Sequence, residues 1–279
     1  MEALKGDIQV PRPSSNLAIY IPTRGRVDRQ LTAQNFQVDD LPWPVYRVVP
    51  ECEADQWNVD KLVVPNDYKF SGIRQFILQQ PPAYHIVMDD DLSPALRLEN
   101  DPTRFLSFKQ MSQQERIDHS KKLISDIEEL LDQGWIHGGV AVRQGGNRDT
   151  NRYQLNTREM RFHFYNANFV KHLGYDFRRV VIKQDLDFTL WMLEQGIPNI
   201  LINYYVQDQD GSNSEGGCSR YRTDEVLTEG AYKLASLHPE FVQVVEKKPK
   251  TAWGGKSRLD VNIQWKKAYE WGLKNAETV

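Results

Sequence analysis

Three adjacent aspartates, Asp89, Asp90 and Asp91, follow directly on the apolar run 84–88. Carboxylates this close repel one another unless solvent or a cation relieves them. Hard divalent cations such as Mg²⁺ take oxygen ligands and usually bridge a few carboxylates to substrate phosphates. A buried strand that ends in such a triplet places it at the edge where open α/β sheets bind ligands. A solvated acidic turn or a helix cap has the same composition, so the triplet needs company to mean more. Company comes first from Tyr20-Ile21-Pro22-Thr23-Arg24-Gly25-Arg26, again just past an apolar run. A hydroxyl, two guanidiniums and a flexible glycine there suit a nucleotide diphosphate, because arginine forks bond phosphate oxygens in pairs. An ordinary polar turn is the alternative. The third group is Lys183-Gln184-Asp185-Leu186-Asp187. Two residues apart on a helix is roughly 200° of rotation, so the two carboxylates cannot share one task. Asp185, in the first turn, can be aimed into a cleft and take a proton from an acceptor hydroxyl. Asp187 then supports or caps the turn, and acids favour helix N-termini in any case.

Two further segments carry weaker signals. Tyr165-Asn166-Ala167-Asn168 ends a strand-like run with two amides, Asn166 and Asn168, which pair well with sugar hydroxyls; a plain turn reads the same way. Trp253-Gly254-Gly255-Lys256-Ser257-Arg258 could fold over a diphosphate as a lid, with Lys256 as counter-charge. It lacks the spacing of a P-loop. His85, His119, His137, His163, His172 and His238 show no metal-ligand spacing and read as structural or solvent-exposed. Cys52 and Cys218 are too few for a disulfide framework and form no CxxC pair, so both are expected to be reduced and unreactive.

The elements that must position these groups alternate. Apolar runs at 17–22, 45–49, 61–64 and 84–88 read as strands, and 72–80 as a helix stopped by Pro81 and Pro82. Ser112 and Glu115 fit a capping box that opens a long helix, with Ile117, Ile124, Ile127 and Leu131 at helical spacing and Gly134 as the stop. Strands follow at 139–143 and 162–167, a helix at 184–194, a strand at 199–206, a Gly/Ser-rich loop at 211–219 and a helix at 224–237. A basic stretch at 247–258 and a final amphipathic helix end the chain. This pattern predicts an α/β sheet sandwiched by helices in a single domain, after a loose arm at 1–16.

Composition narrows the classes. No apolar run nears the ~18 residues of a membrane span. The N-terminus has no basic-then-apolar signal region, so a reducing cytoplasm is the expected location. The net charge of −3 excludes a uniformly basic coat for nucleic acid. Charge is segregated, however: residues 140–180 carry +5 and 243–258 carry +4, which leaves −12 for the rest. Such segregation can create local fields that attract an anion, although solvated surface charge reads equally well.

Taken in order, IPTRGR, GIRQ, MDDDL, QDLDFTL and GGCSRYRT span about 17–223, and together they resemble the GT-A nucleotide-sugar glycosyltransferases. The resemblance is strongest to the phage glycosyltransferases associated with TET/JBP oxygenases, thought to add sugars to hydroxymethylated DNA bases. It implies a GT-A-like fold, with 17–110 as the nucleotide-sugar-binding half and 111–279 as the acceptor-binding half. It implies a UDP-sugar donor, Mn²⁺ or Mg²⁺, and 5-hydroxymethylcytosine in DNA as acceptor, in a host cytoplasm if phage-encoded. Thr23, Arg24, Arg26 and Arg74 would line the nucleotide pocket with Asp90. Asp89 would support the ribose or an arginine and, with Asp91, bind the metal; Asp185 would be the catalytic base of an inverting enzyme. Arg143, Arg148 and Arg152 in the basic segment would hold DNA phosphates. Two departures stand out. Gln184 replaces a usual Glu, and Gln207, Asp208 and Asp210 occupy the stretch where a late metal-binding His is usual. Transfer to a polysaccharide, protein or free nucleotide, a metal-dependent nucleotidyltransferase, and an inactive nucleotide- or DNA-binding module are the alternatives.

Overall fold

Strand β1 (Leu17–Pro22) is buried at every position, as an apolar run covered on both faces must be. In the computed structural model, which describes residues 16–143, 149–209, 222–248 and 257–276, it lies within a ten-stranded mixed sheet. β2 (Val45–Pro50) and β4 (Tyr84–Met88) flank it in parallel, and β3 (Lys61–Val64) extends beyond β2. Helices α1 (Leu31–Phe36) and α2 (Phe70–Leu78) lie in the connections. Past β4 the direction changes. β9 (Phe162–Asn166) runs antiparallel to both β4 and β7 (His137–Val142), and β10 (Asn199–Gln209) is parallel to β7. β5 (Leu92–Arg97) and β6 (Phe105–Ser107) complete that edge, and the short β8 (Tyr153–Leu155) pairs with β10.

Alternation along the strands divides the core into two layers. Ile19, Ile21, Ile86, Phe162 and Phe164 face α3 (Gln113–Asp132) through Leu123, Ile124 and Ile127. Ala18, Tyr20, Val87 and Tyr165 face the opposite way, onto α2 and α5 (Gln184–Glu194). The predicted capping box at Ser112 and Glu115 is formed. Outside α5 lie α6 (Asp224–Leu237), the hairpin of β11 (Val242–Lys247) and β12 (Arg258–Ile263), and α7 (Trp265–Ala276). Leu186, Leu190, Leu193, Leu234 and Ala268 join this layer to α5. The approach of α7 is close: a Cβ at Gly272 would lie 2.3 Å from the Leu193 carbonyl oxygen.

Several elements were not expected. β5 contains Pro94, and its proline and polar residues hide a strand that pairing with β10 creates. α1 and α4 (Ala167–His172) are too short for periodicity to show. β7 begins at His137, two residues before the expected strand, because Gly138 lets it pack closely: a Cβ there would sit 2.2 Å from the Ile200 carbonyl oxygen. Residues 1–15 of the expected arm and the whole 211–219 loop lie outside the described residues. Among the described residues, no helix is long and apolar enough to cross a membrane.

Candidate active site

The acidic triplet occupies the turn between β4 and β5, and its three carboxylates have different surroundings. Asp90 points inward and is 6% exposed. It accepts a hydrogen bond from Thr23 Oγ1 at 2.7 Å and pairs with Arg26. The same Arg26 Nη1 reaches Asp91 Oδ2 at 3.1 Å. Burial alone would lower the Arg26 pKa, but Asp90 and Asp91 together raise it. Thr32 adds a second clasp: its amide donates to the Asp90 carbonyl at 3.1 Å, and its hydroxyl accepts from the Leu92 amide at 2.9 Å. The TRGR loop and the acidic turn are therefore one locked unit. Thr23 and Arg26 serve here to orient the triplet, and the Gly25 amide is held by both oxygens of Glu53 at 3.0 and 2.9 Å. Arg24 is half-buried and has no hydrogen bond or ion pair among the described residues.

Asp89 is different. Its side chain is 26% exposed, and its Oδ1 lies 3.8 Å from Nη2 of the buried Arg74. Oδ1 accepts no hydrogen bond among the described residues, and Arg74 Nε and Nη1 are likewise unpartnered. Burial, then the neighbouring Asp91 and Asp90, push the Asp89 pKa up to about 7 against the pull of Arg74 and Arg161. An orphaned carboxylate oxygen in a negative turn is a position that a cation satisfies. Asp89 and Asp91 are two such ligands. Among the described residues no cluster of three His, Cys, Asp or Glu side chains could hold a metal. The donor set therefore fits a hard cation completed by substrate phosphates.

Helix α5 sets the second half of the site. Lys183, at φ +63°, turns the chain into its first turn. Asp185 stays half-buried at that end, its Oδ1 accepting the Leu186 amide at 3.0 Å. Asp187 is fully buried instead. It accepts from Tyr175 Oη at 2.6 Å, pairs with His238 Nε2 at 3.0 Å and lies 3.5 Å from Arg179 Nη2. His238 Nδ1 in turn meets Glu194 Oε1 at 2.7 Å. Burial would lower the His238 pKa, but the bonds to Asp187 and Glu194 outweigh it and raise it. The helix geometry thus separates the two acids as their spacing requires: Asp185 faces the cleft and Asp187 anchors the helix.

Between the two halves lies a segment that sequence reasoning passed over. Glu159 is completely buried; it accepts from Asn199 Nδ2 at 2.6 Å and His163 Nδ1 at 3.2 Å, and lies 2.9 Å from His137 Nδ1. Burial opposes its ionisation, yet His137 and His163 hold its pKa down at about 2. Gln207 Nε2 donates to the Met160 carbonyl at 3.1 Å. With Glu159 and Met160 pinned, Arg158 and Arg161 flank the anchor. Arg161 acts on Asp89, to whose amide its carbonyl is bonded at 2.8 Å. Arg158 interacts with Asp185, Arg161, Asp260 and Arg258. A line of charge therefore runs from Asp91 and Asp89 through Arg161 and Arg158 to Asp185. The one sequence signal for it was the density of arginine in 140–180.

Other expected site residues lie elsewhere. Asn166 and Asn168 must be removed from the site. β9 is antiparallel to β4, with Phe162 opposite Met88 and Asn166 opposite Tyr84. Its carboxyl end is therefore at the far edge of the sheet, four residues or about 13 Å from the acidic turn. Asn166 caps α4 there, accepting the Phe169 amide at 3.0 Å. Arg152 stacks on Tyr204 at 3.9 Å, and the Tyr204 hydroxyl donates to Asp126 of α3, on the face of the sheet opposite α5. Arg143 lies over Phe105 at 5.8 Å. Arg148, Lys256, Asp210 and Cys218 lie outside the described residues. Gln207 is buried against Met160 and does not face Asp89 as a ligand.

The fold resembles that of a mannosyltransferase from Pyrobaculum calidifontis, solved in complex with GDP-Man and Mn²⁺: TM-score 0.50, 10% identity, with 79% of this chain and 64% of that one covered. Weaker likenesses are to a CMP:2-keto-3-deoxy-manno-octonic acid synthetase complexed with CTP, at TM-score 0.40 and 9% identity over 67% of this chain and 89% of that one. A mycobacterial protein follows at TM-score 0.44 and 9% identity, over 89% and 83%. No curated protein sequence matches the chain. The mixed α/β sheet is thus GT-A-like. A family model, TET-associated glycosyltransferase, matches residues 17–217, a span that contains the β1 loop, the acidic turn, the pinned arginine segment and α5. The chain belongs to the TET-associated glycosyltransferase family.

Proposed function

We propose that this glycosyltransferase moves a sugar from a UDP-sugar to the hydroxymethyl group of 5-hydroxymethylcytosine in DNA, with Mn²⁺ or Mg²⁺ at Asp89 and Asp91. The observation that carries the reading is the convergence of an acidic turn and a second carboxylate, Asp185, on one cleft with arginines between them. Two anionic phosphates require cationic company, and an acceptor hydroxyl requires a base; the cleft supplies both.

In this reading Arg24 and Arg74 lie beside the nucleotide, and Thr23, Arg26 and Asp90 keep the turn in place. A divalent cation bound there lowers the negative charge that develops on the departing diphosphate. Asp185 accepts the proton of the acceptor hydroxyl as its oxygen attacks the anomeric carbon. The bond from that carbon to the diphosphate oxygen breaks, and the nucleoside diphosphate leaves with the bonding electrons. Asp187, Tyr175 and His238 hold the helix that carries Asp185.

The DNA acceptor rests on the family and on the basic stretch 140–180, of which Arg143 is exposed beside Phe105 and Arg152 is exposed on Tyr204. An aromatic-backed arginine keeps its charge available to a phosphate. The test is a screen of UDP- and GDP-sugars against hydroxymethylated and plain DNA, reading nucleotide release and the mass of digested nucleosides. A hexose-sized mass gain on hydroxymethylcytosine alone supports the proposal. Nucleotide release with equal transfer to a free nucleotide, and no salt-sensitive affinity for DNA, refutes the DNA acceptor and leaves the transferase.

A further inference from the structure

We infer that Arg158 and Arg161 form a two-pronged clamp for the donor diphosphate, in place of a third protein ligand to a cation. The inference rests on the nucleotide-sugar reading above. Four features support it. The segment Arg158–Arg161 is fixed from beneath by the buried Glu159 and by the Met160 carbonyl, so its arginines are positioned rather than free to wander. Arg161 adopts φ +65°, a left-handed conformation that residues other than glycine seldom hold. That turn sets it beside Asp89, where β4 ends.

The charges are also unbalanced in a telling way. Arg26 pairs with Asp90 and Asp91, Arg74 lies near Asp89, and Lys183 and Arg258 share Asp260. Arg158 and Arg161 make no ion pair among the described residues, although they lie close enough to oppose each other's charge. Burial, Arg161 and Arg258 all press the Arg158 pKa down, and Asp185 and Asp260 only partly offset them. Two adjacent guanidiniums in a half-enclosed cleft are relieved by an anion with two sets of oxygens, and each fork fits one phosphate. Finally, Gln207 stands in the stretch where a late metal ligand is usual in GT-A enzymes. Its amide instead holds the Met160 carbonyl. The strand that could have supplied a metal ligand supports the clamp.

Inorganic pyrophosphate is the probe, because it needs neither base nor sugar recognition. Isothermal titration in excess chelator should show the parent binding pyrophosphate more tightly than monophosphate. Arg158→Gln and Arg161→Gln should each weaken pyrophosphate binding by about ten- to hundredfold, the usual scale for a charged hydrogen-bond partner. Arg178→Gln, at an exposed arginine paired with Asp176, should bind like the parent. Thermal melts of all three establish that the fold survives. No pyrophosphate binding by the parent without metal, or equal binding by the folded Arg158→Gln/Arg161→Gln double variant, overturns the clamp. If pyrophosphate binds through both arginines while no sugar donor turns over, the clamp stands and the transferase reading falls.

Discussion

Replacing Asp187 by Asn should weaken the fold, whereas the same change at Asp185 should leave it standing and stop turnover. Asp187 is wholly buried among Tyr175, His238 and Arg179, and no solvent can take their place. An amide of the same shape still accepts from one partner but carries no charge. Removing one member of a buried pair costs about 3–5 kcal/mol. His238 keeps Glu194 as a partner, and the retained hydrogen bond, worth about 1 kcal/mol, lowers the expected loss to about 2–4 kcal/mol. For a chain of this size that is a fall of roughly 5–15 °C in melting temperature. The pH dependence gives an independent check. The His238 pKa is raised in the folded state, so its contribution is fully present below the ordinary value of 6.5 and is lost as pH rises through the folded value. The gap between parent and Asp187→Asn should therefore be widest near pH 6 and narrow in alkali. Differential scanning calorimetry from pH 6 to 9, with parallel turnover assays, reads both. Equal melting temperatures, a gap that widens with pH, or normal turnover by Asp185→Asn in place of the expected 10²–10⁴-fold loss, roughly the scale of a general base, would refute the division of labour on this helix.

Three other outcomes are expected. Asp91→Ala should lose metal-dependent turnover with its melting temperature close to that of the parent, since Arg26 retains Asp90; full activity in the variant, or in the parent under chelator, would sink the cation role. Affinity for Mn²⁺ should fall by about tenfold per pH unit below about 7, where Asp89 becomes protonated; titrations by electron paramagnetic resonance that are flat from pH 5.5 to 8 would count against Asp89 as a ligand. Gly138→Ala should destabilise the sheet by about 1–3 kcal/mol or more, because its Cβ would meet the Ile200 carbonyl at 2.2 Å and the Phe164 ring at 2.4 Å; urea denaturation with an unchanged midpoint would disprove the close packing of β7 on β10 and β9.

Local signals in the chain were sufficient for the elements that hold the acidic turn and Asp185. The apolar runs of β1 and β4 punctuated by polar turns, the Ser112–Glu115 capping box of α3, and the limits of α5 and α6 are all determined by residues within a few positions of one another. The opposite fates of Asp185 and Asp187 follow from helical rotation alone. What the chain could not specify locally is which strands become neighbours and in which direction. Period-two alternation is the same for a parallel and an antiparallel strand, so nothing near Asn166 announces that β9 runs backwards and carries both asparagines to the far edge. Likewise, Glu159 reads as one more surface acid among arginines until β7, β9 and β10 bring His137, His163 and Asn199 around it. Only that long-range closure makes Glu159 a buried anchor and turns Arg158 and Arg161 from scattered basic residues into neighbours of Asp89 and Asp185. The types of group available for chemistry were thus a property of the sequence, while their convergence was decided by nonlocal strand pairing, the source of both the error at Asn166 and the omission at Glu159.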